Sequence, residues 1–173
     1  PLLDNLLELA REGEALPSTR KPLKMHDVLE LALRTAKPLL AERGITVECE
    51  FAARPDALVG DPDRLEQVFV NLLSNAIHAV RQVPPPRTIT ITSGQDADGV
   101  WLSLSDNGPG IPTTVLRRLF RPFVTTKGRQ GTGLGLYISR QIVRDAGGDI
   151  EADVCIVGAG FTGLWTAYYL AQR

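Results

Sequence analysis

The chain has 173 residues and a formal net charge of −1, with 43% hydrophobic and 23% charged residues. This length and balance predict one domain, with or without attached fragments, that buries an ordinary core. The near-neutral charge gives no electrostatic reason to expect contact with nucleic acid or with a membrane surface. Cys49 and Cys155 form no CxxC pair, which argues against a zinc site or a disulfide framework and favours a reducing compartment. The chain has no apolar run near the ~20 residues of a membrane span and opens with no signal peptide, so we expect no membrane contact by this segment.

The first third of the chain predicts two helices and two strands. Residues 1–11 have the spacing of an amphipathic helix, and residues 13–22 contain turn formers without periodicity, which predicts a linker. Apolar residues at helical spacing predict a second helix over 27–43. Alternation of apolar and polar residues predicts a strand over 45–51, and a short strand follows around 58–59.

A long amphipathic helix is predicted over 62–80, and the other elements are arranged around it. Asp61 offers an N-cap carboxylate, and Pro62 stands where a first helical residue needs no N–H. The apolar face consists of Leu65, Val68, Phe69, Leu72, Leu73, Ala76, Ile77 and Val80. On the opposite face, Asn71 and Asn75 lie one turn apart, so their carboxamides point the same way. A carboxamide oxygen can bind a hard cation and its NH₂ can donate to phosphate, although two asparagines alone are more often an ordinary solvated face.

The next segment predicts a β-hairpin, a short helical turn and a last helix. Alternating residues predict strands over 88–92 and 100–104, joined through 94–99. A brief helical turn is expected over 116–120. The apolar spacing from 133 to 146 predicts a helix that ends at two glycines.

Three features beside these elements are candidates for binding a ligand. Asp106 follows a strand and can accept a hydrogen bond from an exocyclic amine, or simply form a turn. The glycines of 131–135 precede a helix N-terminus that favours anions, or form a flexible loop. Lys127 can add a positive charge for phosphate, or be an ordinary exposed lysine. His26 and His78 are interpreted as a surface and a helix-face histidine rather than as ligands or bases.

Taken together, four ordered motifs are more specific than any one of them. NLLSNAIHAV, DNGPGI, LFRPFVTTK and GTGLGL resemble the N, G1, F and G2 boxes of the ATP-binding catalytic domain of sensor histidine kinases, especially of the nitrogen-regulation and dicarboxylate-sensor branch. The resemblance implies an α/β (α+β) two-layer sandwich, the Bergerat-type ATPase fold, whose mixed sheet carries helices on one face. It divides the chain into the end of a dimerisation helix and linker over 1–22, the ATP-binding domain over 23–150, and a foreign-looking tail over 151–173.

The resemblance also implies a role for each motif. Asp106 would hold the adenine amine, Asn71 would coordinate Mg²⁺, and Asn75 would contact phosphate or metal. Lys127 would bind phosphate, and a lid over 111–132 would be anchored by two phenylalanines, Phe120 and Phe123. The residues expected to bind ATP are Asn71, Asn75, Asp106, Gly108, Gly110, Ile111, Lys127, Gly131, Thr132, Gly133, Leu134, Gly135 and Leu136, and no residue of this chain is expected to be catalytic.

The chain has no histidine in the setting of a family phosphoacceptor. His26 lies in KMHDV, without the acidic neighbour and following proline of the acceptor motif. The resemblance therefore implies transfer of the γ-phosphoryl group of ATP to a histidine on a dimerisation domain outside these residues, with a response regulator as a further partner. The expected location is the bacterial cytoplasm, in a parent protein that can be membrane-anchored.

The tail after residue 150 changes in character. Residues 153–170 contain an aliphatic run, GxGxxG at Gly158, Gly160 and Gly163, and a predicted helix, and they resemble the opening βα unit of an FAD-dependent oxidoreductase. The chain ends before the acidic residue expected about 20 positions later, so no flavin is assigned to this apparent chimera. Residues 151–157 are expected to join the kinase-like sheet, and loss of the usual closing strand predicts lower stability or dimerisation.

Three alternatives compete with the kinase interpretation. ATPases of the same superfamily carry a water-activating glutamate one turn before their Mg²⁺-binding asparagine. Here that position is Asn71, and a carboxamide cannot act as a general base, which argues against sustained hydrolysis. A nucleotide-binding regulatory module without activity is the second alternative. A fragment of an FAD-dependent oxidoreductase is the third, and bound flavin would give it a visible absorbance band.

Overall fold

The structure is a computed structural model that describes residues 19–97, 99–127 and 131–152, and the backbone of 164–170. Its strands are β1 (Lys21–Lys24), β2 (Ile45–Phe51), β3 (Ala57–Gly60), β4 (Arg87–Asp96), β5 (Gly99–Asp106), β6 (Asp149–Ile150) and β7 (Leu164–Leu170). Its helices are α1 (Met25–Glu42), α2 (Pro62–Val80), α3 (Thr113–Leu116) and α4 (Gly135–Asp145). The predicted helix over 1–11 lies outside the described residues.

A mixed five-stranded sheet forms one layer, in the order β2-β4-β5-β7-β6. β2 runs parallel to β4, whereas the other neighbouring pairs are antiparallel. Helices α1 and α4 both pack against α2, and the helices share one hydrophobic core with inward residues of the sheet such as Ile89 and Leu102. The predicted two-layer sandwich with a mixed sheet and helices is confirmed.

Helix α2 has the predicted cap and the predicted buried face. The Asp61 carboxylate accepts from the backbone N–H groups of Asp63 and Arg64 at 3.1 and 3.3 Å, and Pro62 is the first helical residue. All eight apolar residues of the predicted face are buried. This burial fixes the rotation of the helix, so its opposite face, with both asparagines, is turned away from the core.

Several local predictions need correction. The segment predicted as linker ends in β1, which pairs antiparallel with β3. The predicted turn over 116–120 begins earlier, as α3. The prediction of a surface position for His26 is wrong: it is 9% exposed, because its ring contacts Asp56 at 3.0 Å and Ser93 at 2.8 Å and stacks on Phe51. His26 therefore ties the start of α1 to the sheet.

The prediction of a helix after the GxGxxG motif is also wrong. The backbone of Leu164–Leu170 is β7, paired antiparallel with β5 on one side and with β6 on the other. A strand satisfies the backbone groups along β5, and the sequence LWTAYYL is rich in residues that suit strands. β7 thus fills the sheet where the usual closing strand was expected to be lost, and the expected lower stability or dimerisation stays a prediction. Glu151 and Ala152 are not in a strand, and the rest of the strand expected over 151–157 lies outside the described residues.

Candidate functional site

One cavity of about 700 Å³ lies between α2, the end of β5, the segment 109–127 and the start of α4. All of the predicted ATP-binding residues line it except Gly108 and Leu134. Gly108 is buried beside it, and the Leu134 side chain belongs to the core. The four sequence motifs, far apart in the chain, therefore meet around a single space.

Asp106 supplies a buried carboxylate at one end of the cavity. It ends β5 and is 8% exposed. Burial raises the pKa of the Asp106 carboxyl to about 6, although the Gly108 N–H donates to its Oδ1 at 2.8 Å and opposes this rise. A Cβ on Gly108 would lie 2.8 Å from the Cβ of Ala79, so the close approach of this loop to α2 requires glycine. The carboxylate is thus held as an acceptor in an apolar setting, which suits an amine donor.

The two asparagines of α2 are held by different elements. Asn71 donates from Nδ2 to Ser139 Oγ on α4 at 2.9 Å. Asn75 accepts at Oδ1 from Lys127 Nζ at 2.7 Å. The Asn71 oxygen has no comparable donor among these contacts, so it is the carboxamide oxygen more available to a hard cation.

Two basic side chains stand beside these asparagines. Burial lowers the pKa of the Lys127 ammonium. Burial also lowers the pKa of His78, and the nearby charges of Lys127 and Arg81 lower it further. A neutral His78 next to a partly desolvated Lys127 leaves the lysine as the principal positive side chain at this end of the cavity, and an anionic ligand would relieve its desolvation.

The start of α4 presents backbone rather than side chains to the cavity. No side chain caps this helix N-terminus, so its first N–H groups are available to an anion. Gly133 has φ +70°, and a Cβ there would come within 2.5 Å of the Phe123 backbone. A Cβ on Gly135 would overlap the Asn71 carboxamide. Both glycines are thus required by close approach of the backbone, and the prediction of a phosphate-type loop has a geometric basis.

Of the two phenylalanines predicted to anchor a lid, one packs against the core and the other does not. Phe120 packs against the core, and the Arg140 guanidinium lies 4.9 Å from its ring centroid. Arg140 is fixed by two hydrogen bonds to Asp149, at 2.6 and 2.9 Å. The prediction for Phe123 is wrong, because its side chain is 61% exposed with a left-handed φ of 65°.

Sequence reasoning missed Ser139 and Gln82. Gln82 lines the cavity, and its position four residues after His78, on the stripe that begins at Asn71, is the signal that predicts it. Ser139 lies on α4, four residues after Gly135. This spacing points to the cavity only when α4 is known to pack against α2.

No group of three or more His, Cys, Asp or Glu side chains is placed to hold a metal ion in the part of the chain that the structure describes. The described helices include none that is long and apolar enough to cross a membrane. Mg²⁺ prefers oxygen ligands and is usually bound through one or two carboxylates together with substrate phosphates and water; here the amide oxygen of Asn71 would take the place of such a carboxylate.

Comparisons with known proteins agree with this geometry. Residues 60–165 match the family described as histidine kinase-, DNA gyrase B- and HSP90-like ATPases. The C4-dicarboxylate transport sensor protein DctB of Rhizobium meliloti is 38% identical over 154 residues, 88% of this chain and 24% of that protein. The sensory histidine kinase/phosphatase NtrB of Rhizobium leguminosarum bv. phaseoli is 36% identical over 152 residues, 79% of this chain and 39% of that protein.

A solved structure gives the same result for the fold. The catalytic domain of histidine kinase ThkA superposes with a TM-score of 0.73 at 29% identity, covering 86% of this chain and 93% of that one. The chain spans about a quarter of the length of DctB and about two-fifths of the length of NtrB. The family match continues to residue 165, beyond the GxGxxG glycines. These comparisons do not support an oxidoreductase origin for the tail.

Proposed function

The chain belongs to the histidine kinase-, DNA gyrase B- and HSP90-like ATPase family, and we propose that it binds ATP with Mg²⁺ and donates the γ-phosphoryl group to a histidine on a separate dimerisation domain. One observation carries the proposal: a single cavity is lined by a buried carboxylate and also by two carboxamides, a lysine and a helix N-terminus. That combination matches a ligand with an amine-bearing ring and a chain of phosphates.

Asp106 accounts for recognition of the adenine. Its Oδ1 is occupied by the Gly108 N–H, which leaves the second carboxylate oxygen for the exocyclic amine. A site built to accept this hydrogen bond disfavours bases that present a carbonyl at the same position, because the two acceptors would face each other in a buried setting.

The other end of the cavity accounts for the phosphates. Lys127 exchanges its hydrogen bond with Asn75 for a phosphate oxygen, and the free N–H groups at the start of α4 bind further oxygens. Asn71 would hold Mg²⁺, which when bound neutralises charge that develops on the phosphates. The protein's part is to position the phosphates and to exclude water around them.

Neither histidine of this chain is placed as a phosphoacceptor. His26 is buried between Asp56 and Ser93, and His78 lies on the wall of the cavity itself. The acceptor is therefore proposed to come from another segment, and DctB and NtrB are named as sensor proteins. A response regulator as the final recipient, and a cytoplasmic location where ATP is available, are parts of the same proposal.

Titration calorimetry with a non-hydrolysable ATP analogue and Mg²⁺, with FAD in a parallel cell, tests the binding step. We expect saturable binding of the analogue and no binding of FAD. Transfer is tested by adding γ-labelled ATP and a histidine-bearing dimerisation domain from a sensor kinase. Label on that domain supports transfer, whereas binding without label favours a nucleotide-binding module without activity. Release of phosphate at a sustained rate would favour the ATPase alternative.

A further inference from the structure

We propose that Ser139 is a positioning residue that orients the carboxamide of Asn71, so that its oxygen rather than its NH₂ faces the Mg²⁺–phosphate end of the cavity. This inference rests on the proposed function and deepens it, because it assigns the geometry of the metal ligand to a side chain on a different helix.

The contact joins two helices and is part-buried. Ser139 is 1% exposed and lies on α4, which packs directly against α2. Asn71 Nδ2 donates to Ser139 Oγ at 2.9 Å. A polar side chain buried to this degree requires a partner, and the hydroxyl of Ser139 contacts the very side chain that would bind the metal.

Orientation matters because the two ends of a carboxamide differ in sign. The oxygen binds a cation and the NH₂ repels one. With Nδ2 engaged by Ser139, the carboxamide oxygen is directed toward Gly135, where a Cβ would overlap it. The Ser139 oxygen accepts from this NH₂, so the contact with α4 is made by the end of the carboxamide that repels a cation.

Asn75 provides an internal comparison. Its oxygen is held by Lys127, a side chain that phosphate would recruit, so its orientation changes when nucleotide binds. The contact of Asn71 with Ser139 involves no group that the nucleotide displaces. The first asparagine is therefore pre-oriented in the free protein, whereas the second is not.

The experiment measures the affinity of a non-hydrolysable ATP analogue with Mg²⁺ and again in EDTA, for the wild type, Ser139→Ala and Ser139→Cys. Outer-shell partners of metal ligands typically contribute 10- to 100-fold to metal affinity. We expect about a 10-fold loss of affinity with Mg²⁺ for either variant and no loss in EDTA. Cys fills the space of Ser with a weak acceptor, so it separates loss of the hydrogen bond from loss of packing. Ser74→Ala, on the exposed face of α2, is the matched control and should retain wild-type affinities.

The possible outcomes separate the two proposals. A wild type whose affinity is the same in Mg²⁺ and EDTA would refute the metal site of the proposed function and this inference with it. A Mg²⁺-dependent wild type with unchanged variants would overturn this inference alone. Equal losses in Mg²⁺ and EDTA would assign Ser139 a merely structural role and would also overturn it. In an Asn71→Ala background, we expect Ser139→Ala to cause no further loss with Mg²⁺, since the two residues act through one ligand.

Discussion

Asp106→Asn should stabilise the protein while it damages nucleotide binding. The Asp106 carboxyl has a pKa raised by burial from its ordinary 3.8 to about 6, so above pH 6 the protein holds a charge in a setting that disfavours it. At 1.36 kcal/mol per pKa unit, this rise corresponds to about 3 kcal/mol. A group with a raised pKa contributes stability that is present below pH 3.8 and is lost as the pH rises toward 6. The amide never carries the charge, so it avoids this loss.

The same substitution reverses the hydrogen-bonding character of the site. The Gly108 N–H donates to Oδ1 of Asp106 at 2.8 Å, so it would hold the amide oxygen of the variant and leave the NH₂ facing the adenine amine. A hydrogen bond to a charged group contributes about 1.5–3 kcal/mol, which predicts about a 10- to 100-fold loss of affinity for an ATP analogue. An inosine analogue, which has a carbonyl in place of the amine, should be affected less or bind better.

Urea unfolding at a series of pH values and calorimetric titration at pH 8 measure these two effects. The variant should exceed the wild type in unfolding free energy by up to about 3 kcal/mol at pH 8, and the difference should shrink toward zero as the pH falls from 6 to 4. Asp27→Asn, at an exposed position on α1, is the control for loss of one negative charge. A stability difference that does not vary with pH would refute the argument from burial, and unchanged selectivity between adenine and inosine analogues would refute the assignment of Asp106.

Two further predictions test the geometry around the cavity and the core. Gly135→Ala should lower Mg²⁺-dependent affinity for the ATP analogue by 10-fold or more, because its Cβ would displace the Asn71 carboxamide. Gly110→Ala is the comparison, because its φ is +78° but no atom lies within 4 Å of the added carbon. It should cost about 1–2 kcal/mol of stability and should lower the affinity for the ATP analogue less than Gly135→Ala does. His26→Ala should lower the unfolding free energy in urea by about 2–4 kcal/mol, since it removes the contacts of the imidazole ring with Asp56 and with the buried Ser93. Nucleotide affinity should not change in this variant, and a large change would mean that His26 acts on the cavity.

The elements that could be predicted from sequence are those specified by neighbours along the chain. The buried face of α2 follows from helical spacing, and its start follows from Asp61 and Pro62, all within one segment. The burial of His26 could not be predicted in this way, because Asp56 and Ser93 lie 30 and 67 residues away. The strand β7 was missed for the same reason: its local sequence resembles a βα unit, but pairing with β5 and β6 determines its conformation.

The pairing of Asn71 with Ser139 follows from the difference between an amide and a carboxylate. Where related ATPases carry a glutamate at the position of Asn71, either carboxylate oxygen can accept a proton from water or bind a cation, so the rotation of the group matters little. A carboxamide cannot accept that proton, which disfavours hydrolysis, and only one of its two ends can bind a cation. Its orientation must then be fixed by another residue, and the structure places a buried hydroxyl 2.9 Å from its NH₂. Under the proposed function, Ser139 is placed to orient this carboxamide.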